Sequence, residues 1–300
     1  MSAWPTIAWP TIGWPTSRRL ALAAVLVVVA GPQAAVAGEP RGAGEPGDAA
    51  KPACSAPAAV SELGVPLAHS AAVVAAGEPV LIVAVGSSST SGVGASSPAA
   101  AYPARLEAAL RRHFPRTDLR VLNRGKGGED AGEELARLDR DVVAAHPDLV
   151  IWQVGTNAVL RRDDLAGDAI LLEHGVAILR RDGVDVVLMD MQYAPRVLAR
   201  RAYPLMEELI AATAKRERVG LYRRFELMQQ WQKTGALGAL TGSDGLHMTD
   251  ASYDCLAINL ADALAANWRA AAKGVPRALD AVAGLPGAAR LPAARGTPLP

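Results

Sequence analysis

The chain has few aromatic residues, almost no net charge and only two cysteines among its 300 residues. Phenylalanine, tryptophan and tyrosine together make up 4%, so the core must rely on leucine, valine and isoleucine. The 31 basic and 30 acidic residues leave a formal net charge of +1. That balance argues against a nucleic-acid partner, which usually needs a basic face. The five histidines are scattered, and no cysteine–histidine cluster has zinc-ligand spacing, so we expect neither a metal nor another cofactor.

The first 37 residues predict an export signal. Residues 3–17 repeat a five-residue unit (AWPTI, AWPTI, GWPTS) that is too rich in proline for a helix. An arginine pair at 18–19 then precedes the apolar run Leu20–Ala30, which is too short to span a bilayer comfortably. Residues 35–37 read Ala-Val-Ala and fit the small-x-small cleavage pattern. We therefore expect cleavage after Ala37 and a periplasmic or extracellular protein, with an uncleaved N-terminal membrane anchor as the alternative.

The remaining chain divides into three parts by composition. Residues 38–77 comprise a Gly/Pro-rich linker and a lead-in segment, 78–272 form the predicted domain, and 273–300 read as a disordered Pro/Ala/Gly-rich tail. In an exported chain an even number of cysteines suggests pairing, so Cys54 and Cys255 are expected to form a disulfide. Two separate thiols are the alternative, and the oligomeric state is left open.

The predicted domain alternates strand-like and helix-like runs, which is typical of a parallel sheet covered on both faces. We expect an α/β fold, a flavodoxin-like three-layer α/β/α sandwich with about five parallel strands in the order 2-1-3-4-5. The predicted strands are Val80–Val85, Leu119–Leu122, Leu149–Val154, Val184–Met189 and Val219–Tyr222. The predicted helices are Ala99–His113, Ala131–Ala144, Leu165–Arg181, Val197–Arg216 and Ala251–Ala272.

The segment Val80–Thr90 reads Val-Leu-Ile-Val-Ala-Val-Gly-Ser-Ser-Ser-Thr. A buried strand that stops in a glycine and small hydroxyl residues presents a serine at the carboxyl edge of a sheet, where open α/β folds bind their ligands. If Gly86 makes the turn, the second residue after it points into the crevice. Ser88 is therefore the candidate nucleophile, although a hydroxyl-rich loop that caps the next helix would explain this segment taken alone.

A second motif, Gly242-Ser-Asp-Gly-Leu-His247, lies immediately before the last predicted helix. Asp244 and His247 are three residues apart, so one tight loop can present the imidazole and hold its other nitrogen with the carboxylate. This arrangement fixes the tautomer of a catalytic base. An Asp-Gly turn followed by a surface histidine is the alternative.

Two further motifs follow predicted strands and offer hydrogen-bond donors. Gly128 ends the glycine-dense stretch Asn123-Arg-Gly-Lys-Gly-Gly128, whose backbone can turn with its N–H groups exposed to an anion. Asn157 follows the third predicted strand, and its amide could donate a further hydrogen bond to an oxyanion. The alternatives are a tight strand-to-helix turn at Gly128 and a helix cap at Asn157.

Other ligand-binding motifs fail on spacing. Gly125-Lys-Gly-Gly128 lacks the Walker spacing and its Gly-Lys-Ser/Thr ending, and Gly92-Val-Gly94 lacks the third glycine of a dinucleotide fingerprint. No Gly-x-Ser-x-Gly elbow of the ordinary α/β-hydrolases occurs. The motifs above therefore favour neither nucleotide binding nor that hydrolase fold.

Together, the serine, glycine, asparagine and Asp/His motifs resemble the four sequence blocks of the SGNH hydrolases, also called GDSL-like esterases or lipases. In that family these residues occur in the same chain order, with aspartate three residues before histidine. The resemblance covers roughly Val80 to Ala265, nearly the whole predicted domain.

The resemblance implies a role for each residue. Ser88 would be the nucleophile, His247 the base and Asp244 the group that orients His247. The N–H groups of Ser88 and Gly128, with the Asn157 amide, would form the oxyanion hole. No metal or cofactor is implied.

Two segments depart from this pattern or lie outside it. Where the family's name-motif has aspartate, this chain has Ser87, which changes the polar contact made there. After the fourth predicted strand, Gln192 and Tyr193 in the segment Asp190-Met-Gln-Tyr-Ala-Pro195 could line the acyl or alcohol pocket, with a purely structural loop as the alternative.

The sequence thus predicts an exported serine esterase that acts on a small acyl ester, such as an acetyl ester. A small-molecule, lipid or glycan alcohol is compatible with these motifs. An O-acyltransferase that modifies envelope glycans with the same acyl-enzyme is one alternative. A non-catalytic carbohydrate-binding protein of the same fold is another.

Overall fold

The computed structural model describes Cys54 and residues 57–162, 165–181, 183–235 and 237–274. The predicted export signal, the linker before Cys54 and the tail beyond residue 274 lie outside the described residues. Within the described ranges, no helix combines the length and apolar character needed to cross a membrane.

Five parallel strands form one sheet in the order β2-β1-β3-β4-β5, which confirms the predicted order. The winding direction reverses between β1 and β3, and in such sheets ligands bind at the carboxyl edge beside this reversal. The strands are β1 (Val80–Gly86), β2 (Leu119–Gly125), β3 (Leu149–Gln153), β4 (Asp185–Met189) and β5 (Gly220–Tyr222).

Helices precede, connect and follow these strands in the described part of the chain. Those before and after β1 are α1 (Ala58–Ser61), α2 (Ala68–Ala76), α3 (Ser88–Ser91) and α4 (Tyr102–His113). Those between β2 and β4 are α5 (Ala131–Leu135), α6 (Leu138–Asp141), α7 (Thr156–Arg161) and α8 (Asp168–Leu179). The last four are α9 (Pro195–Leu198), α10 (Tyr203–Glu217), α11 (Arg224–Thr234) and α12 (Asp250–Gly274). Short 3₁₀ turns lie at Pro98–Ala100 and Val143–Ala145.

The sheet is buried on both faces because helices cover each of them. Along β1, Ile82 and Ala84 pack into one apolar core while Val83 and Val85 pack into the other, as the two-residue period of a strand requires. Helices α2, α4, α11 and α12 contribute to the first core, and α5, α6, α8 and α10 contribute to the second. This three-layer arrangement explains why β1, β3 and β4 read as nearly continuous apolar runs rather than alternating ones, whereas the edge strand β2 keeps two exposed arginines.

The prediction of one helix over Ala131–Ala144 was wrong. The chain breaks between α5 and α6, where Arg137 turns inward and is 6% exposed. Its guanidinium pairs with the buried Glu129 carboxylate at 2.6 Å and donates to the Gly86 carbonyl at 3.4 Å. These contacts, with residues 8 and 51 positions earlier in the chain, set the break between the two helices.

The predicted helix Val197–Arg216 is also two helices, α9 and α10, separated by residues 199–202. Pro204 lies in the first turn of α10, where a residue without a backbone N–H costs no hydrogen bond. Helix α11 was not predicted at all. It buries Leu227, Met228 and Trp231 against the sheet, a spacing that fits one helical face.

The segment before the sheet is fastened to α12. Cys54 and Cys255 form the expected disulfide, which joins this lead-in to the second turn of α12. Further along, the Asn267 side chain accepts from the Leu67 N–H at 2.9 Å and donates to the Val65 carbonyl at 2.7 Å. Helix α12 is therefore held from the N-terminal side of the fold as well as by the core.

Candidate active site

The turn after β1 brings a serine to the carboxyl edge of the sheet. Gly86 has a φ of +153°, and a Cβ there would lie 2.5 Å from Thr90 Oγ1 and 2.8 Å from Gln153 Cβ. Only glycine fits so close a crossing. Helix α3 begins two residues later, with Ser88 as its first residue.

The three serines of this turn have different surroundings. Ser87 and Ser89 are buried, and both hydroxyls donate to Gln153 Oε1, at 3.1 and 3.0 Å. The Ser87 N–H donates to the same oxygen at 3.0 Å. Ser88 is only half-buried, and its hydroxyl lies 2.9 Å from His247 Nε2. Ser88 is thus the serine of the three that faces the histidine.

The loop that carries His247 is closed at its base. An isolated antiparallel bridge joins Thr241 to Met248, and the Gly242 N–H donates to the His247 carbonyl at 2.8 Å. Inside the loop, Asp244 Oδ1 accepts the N–H groups of Leu246 and His247, each at 3.0 Å. These bonds shape the loop before any ligand arrives.

Asp244, His247 and Ser88 form one continuous hydrogen-bonded chain. Asp244 Oδ2 lies 2.5 Å from His247 Nδ1, and His247 Nε2 lies 2.9 Å from Ser88 Oγ. The His247 side chain is 18% exposed and that of Asp244 is 43% exposed. The geometry allows the imidazole to take the serine proton while the carboxylate holds the other ring nitrogen.

Asp244 is ionised at neutral pH. Partial burial acts to raise the pKa of its carboxyl group, but hydrogen bonds outweigh this effect. The donors are the Leu246 N–H and the ring and N–H of His247, and together they lower the pKa to about 2. A carboxylate in this state favours the proton on His247 Nδ1, which leaves Nε2 free to accept from Ser88.

The segment after α3 packs directly behind His247. Gly94 has a φ of +91°, and a Cβ there would lie 2.6 Å from the Met248 carbonyl and 2.9 Å from His247 Cβ. The Tyr253 hydroxyl donates to the Val93 carbonyl at 2.8 Å. Gly94, which does not belong to a dinucleotide-binding motif, therefore allows the serine and histidine loops to pack closely.

Gly128 and Asn157 lie near each other, and the turn that carries Gly128 passes beside Ser88. Gly128 has a φ of +85°, and a Cβ on the preceding Gly127 would lie 3.9 Å from Ser88 Cβ. Asn157, in the first turn of α7, donates from Nδ2 to the Glu129 carbonyl at 2.7 Å. Since an amide nitrogen carries two hydrogens, this bond leaves Asn157 a second donor.

The structure argues against the predicted substrate-binding role of Gln192. Its side chain is 1% exposed, and its Oε1 accepts from the Thr156 hydroxyl at 2.9 Å and from Arg224 Nη2 at 3.0 Å. Tyr193 is half-buried and packs edge-on against Phe225, with ring centroids 5.2 Å apart. Gln192 thus belongs to an interior network rather than to a crevice wall.

Two polar residues beside the site, Gln153 and Arg224, were not singled out from the sequence. Gln153 interrupts the otherwise apolar run Leu149–Val154, and this polar residue inside a buried strand was the available signal. Arg224 carries no local signal, because its partners come from distant segments. No group of three or more His, Cys, Asp or Glu side chains in the described ranges could hold a metal ion.

A model of the Non-GDSL lipase-like family matches residues 53–270. No curated protein matches the chain in sequence. Among solved structures, a two-domain esterase (CEX) active on acetylated mannans is 20% identical with a TM-score of 0.55. The match covers 65% of this chain but only 51% of that one, so the chain spans about half the length of this esterase.

Two other structures match over nearly their whole length. TesA is 24% identical with a TM-score of 0.54, and the match covers 62% of this chain and 99% of TesA. A variant of Axe2, an acetyl xylan esterase from Geobacillus stearothermophilus, is 21% identical with a TM-score of 0.53, over 63% and 96% of the two chains. At such identities these likenesses establish the fold, whereas the family model covers most of the chain. The chain belongs to the Non-GDSL lipase-like family.

Proposed function

We propose that the protein is an exported serine esterase that removes small acyl groups, acetyl groups in particular, from glycan esters. The observation that carries this proposal is the hydrogen-bonded chain from Ser88 through His247 to Asp244. Such a chain activates a hydroxyl that is otherwise a weak nucleophile.

In the first half-reaction, Ser88 Oγ attacks the ester carbonyl carbon while its proton passes to His247 Nε2. The imidazolium that forms is stabilised by the Asp244 carboxylate. When the tetrahedral intermediate collapses, the bond to the alcohol oxygen breaks, and His247 returns the proton to that oxygen. The alcohol leaves, and the acyl group stays on Ser88 as an ester.

In the second half-reaction, a water molecule attacks the acyl carbon and gives its proton to His247. Collapse breaks the bond to Ser88, which takes the proton back, and the carboxylic acid departs. Both tetrahedral intermediates carry an oxyanion. We assign its stabilisation to the N–H groups of Ser88 and Gly128 and to the second amide hydrogen of Asn157.

The choice of acetylated glycans rests on the solved structures that share this fold. CEX acts on acetylated mannans, and Axe2 is an acetyl xylan esterase. The polysaccharide substrates of both enzymes bear acetyl groups on sugar hydroxyls, so one acyl pocket could accept either substrate. Tyr193, half-buried after β4, is the remaining candidate for contact with the alcohol side of a substrate.

Substitution and covalent labelling test the nucleophile. Ser88→Ala should abolish hydrolysis of p-nitrophenyl acetate, whereas Ser97→Ala, at an exposed serine nine positions further along the chain, should leave it nearly unchanged. An alkyl fluorophosphonate should add one mass increment to the wild type, and peptide mapping should place it on Ser88. A label on Ser87 or Ser89, or normal turnover by Ser88→Ala, would contradict the assignment.

A substrate panel tests the proposed acyl and alcohol groups. We expect p-nitrophenyl acetate to be cleaved with a higher kcat/KM than the butyrate or octanoate esters, and acetate to be released from acetylated xylan and mannan oligosaccharides. Preference for octanoate would point to a lipid ester instead. Acetylation of an added unmodified glycan at the expense of acetate release would favour the transferase.

Export is supported by the pattern of residues 18–37 and by the Cys54–Cys255 disulfide, which persists best in an oxidising compartment. Expressed from its full sequence in a bacterial host, the protein should be recovered outside the cytoplasm with Gly38 as its first residue. Recovery in the membrane fraction with residues 18–37 intact would instead favour the anchor.

A further inference from the structure

A charged side chain lies in the interior beside the active site. Arg224, the first residue of α11, is 0% exposed. Its Nε donates to the Asp190 carbonyl at 3.0 Å, Nη1 to the Ser89 hydroxyl at 2.9 Å, and Nη2 to Gln192 Oε1 at 3.0 Å. All three acceptors are neutral groups. Burying a guanidinium is costly, so its presence at this position needs an explanation.

The first arm of the network leads to the proposed nucleophile. Ser89 follows Ser88 directly in α3, and its hydroxyl accepts a hydrogen bond from Arg224 and donates one to Gln153 Oε1 at 3.0 Å. The same oxygen receives the N–H and hydroxyl of Ser87. Arg224 therefore holds Ser89, the residue after Ser88, while Gln153 holds both Ser87 and Ser89.

The second arm leads to the proposed oxyanion donor. Gln192 Oε1, which accepts from Arg224, also accepts from the Thr156 hydroxyl at 2.9 Å. Thr156 is 3% exposed and is the neighbour of Asn157 in the first turn of α7. One planar guanidinium thus spans the two segments that carry Ser88 and Asn157.

The charge of the guanidinium is balanced nearby. The Asp190 carboxyl group lies close to Arg224 and accepts the Phe225 N–H at 2.8 Å. Burial, followed by the nearby Asp190 charge, raises the pKa of Glu207 to about 10, so Glu207 stays neutral at pH 7 and Asp190 carries the negative charge that faces Arg224. Arg224 is therefore free to direct all three of its bonds to neutral acceptors.

We propose that Arg224 is a positioning residue, which sets the separation between Ser88 and Asn157 through its bonds to Ser89 and Gln192. This inference rests on the proposed function of those two residues. A guanidinium suits the task because its donors diverge in one rigid plane. Lysine would keep the charge balance, but a single nitrogen cannot hold three acceptors in that geometry.

The test compares Arg224→Lys with Ser89→Ala, which removes only the first arm. For Arg224→Lys we expect kcat for p-nitrophenyl acetate to fall by about 10–100-fold with KM within about threefold, because misplacing catalytic groups slows the chemical step. Ser89→Ala should lower kcat in the same way and by no more. In the double variant the losses should not multiply, since both changes break the same link.

Leu264→Ala is the matched control, because it opens a cavity in the buried part of α12 away from the serine turn. It should lower the melting temperature without changing kcat at 25 °C. A kcat loss in Arg224→Lys no larger than in Leu264→Ala, or multiplicative losses with Ser89→Ala, would overturn the proposal. If Arg224→Lys does not fold, unchanged kcat in Ser89→Ala overturns it. An inactive wild type would instead refute the proposed function.

Discussion

Replacing Asp244 with asparagine tests the proposed base more sharply than removing it. Asp244 accepts three hydrogen bonds, two through Oδ1 from the Leu246 and His247 N–H groups and one through Oδ2 from the His247 ring. In Asp244→Asn the side-chain oxygen can keep the two backbone donors, which turns the amide nitrogen toward His247 Nδ1. Two N–H groups cannot bond to each other, so the ring proton must move to Nε2. That nitrogen can then no longer accept the Ser88 proton.

The size of the effect follows from this tautomer change. In serine proteases the equivalent substitution lowers kcat by about 10⁴-fold. The Asp244 side chain is 43% exposed, and water screens part of its charge, so we expect a loss of about 10²–10³-fold in kcat. KM should stay nearly constant, because Asp244 is separated from the substrate by the imidazole.

Activity is measured with p-nitrophenyl acetate from pH 4 to pH 9, with the exposed Ser243→Ala as the neighbouring control. Since the pKa of Asp244 is lowered to about 2, the wild-type carboxylate stays ionised over this whole range. Asp244→Asn should lower kcat at every pH, while Ser243→Ala should follow the wild type.

Stability must be followed in the same variants. The depressed pKa of Asp244 stabilises the fold above the pKa of the unfolded chain, and this contribution is lost as the pH falls through about 2. Because the group is 43% exposed, its contribution is discounted to about 1 kcal/mol, too little to unfold the domain at neutral pH. If folded Asp244→Asn keeps kcat within about fivefold of the wild type, Asp244 does not orient the base. A large rise in KM at constant kcat would refute the mechanism equally.

Three further results are expected. Asn157→Ala should lower kcat by about 10²–10³-fold with little change in KM, and a KM effect alone would make it a substrate-binding residue. Burial, followed by the nearby Asp190 charge, raises the pKa of Glu207 to about 10. The folded state then holds a proton that the unfolded chain releases, so stability should fall between pH 5 and pH 8, by at most about 1.4 kcal/mol per pH unit. Glu207→Gln should flatten this slope in urea unfolding, and an unchanged slope would contradict the assignment. Reduction of Cys54–Cys255 should lower the melting temperature, because the disulfide closes a loop of 201 residues and contributes up to roughly 5 kcal/mol to the free energy of unfolding through chain entropy. Two alkylatable thiols in protein from an oxidising compartment would refute the bridge.

The sheet could be predicted because its strands are marked locally. Each buried strand is a short apolar run that ends in glycine or polar residues, and alternation with helices implies parallel pairing. Even the three-residue β5 was located, since the run Val219–Tyr222 follows a long helix. The predicted order followed from right-handed crossovers rather than from any single residue.

The helix boundaries were harder because distant contacts decide them. The break before α6 places Arg137 on Glu129 and the Gly86 carbonyl, and none of these contacts is visible in the apolar spacing of 131–144. The break before α10 could have been predicted from the sequence, because Pro204 fits the first turn of a helix better than its interior. Helix α11 also carried an apolar spacing that was passed over.

The candidate site divides in the same way. Ser88, Asp244 and His247 could be proposed because strand ends and a three-residue spacing restrict where such groups can lie. Gln153 and Arg224 depend on bonds to segments more than 30 residues away, for instance 66 residues between Ser87 and Gln153 and 135 between Ser89 and Arg224. Spacing along the chain cannot reveal partners of that kind.

The hydrogen bonds around Gln153 give a physical reason for Ser87, which stands where the name-motif of the GDSL-like hydrolases has aspartate. Gln153 Oε1 is an acceptor, and it receives donors from Ser87, Ser89 and Thr90. A buried carboxylate at position 87 would set acceptor against acceptor. Turning the amide over would satisfy that carboxylate, but the hydroxyls of Ser89 and Thr90 would then lose the acceptor to which they now donate. Serine at 87 and glutamine at 153 are therefore matched to each other, and together they leave Ser88 as the hydroxyl that meets His247.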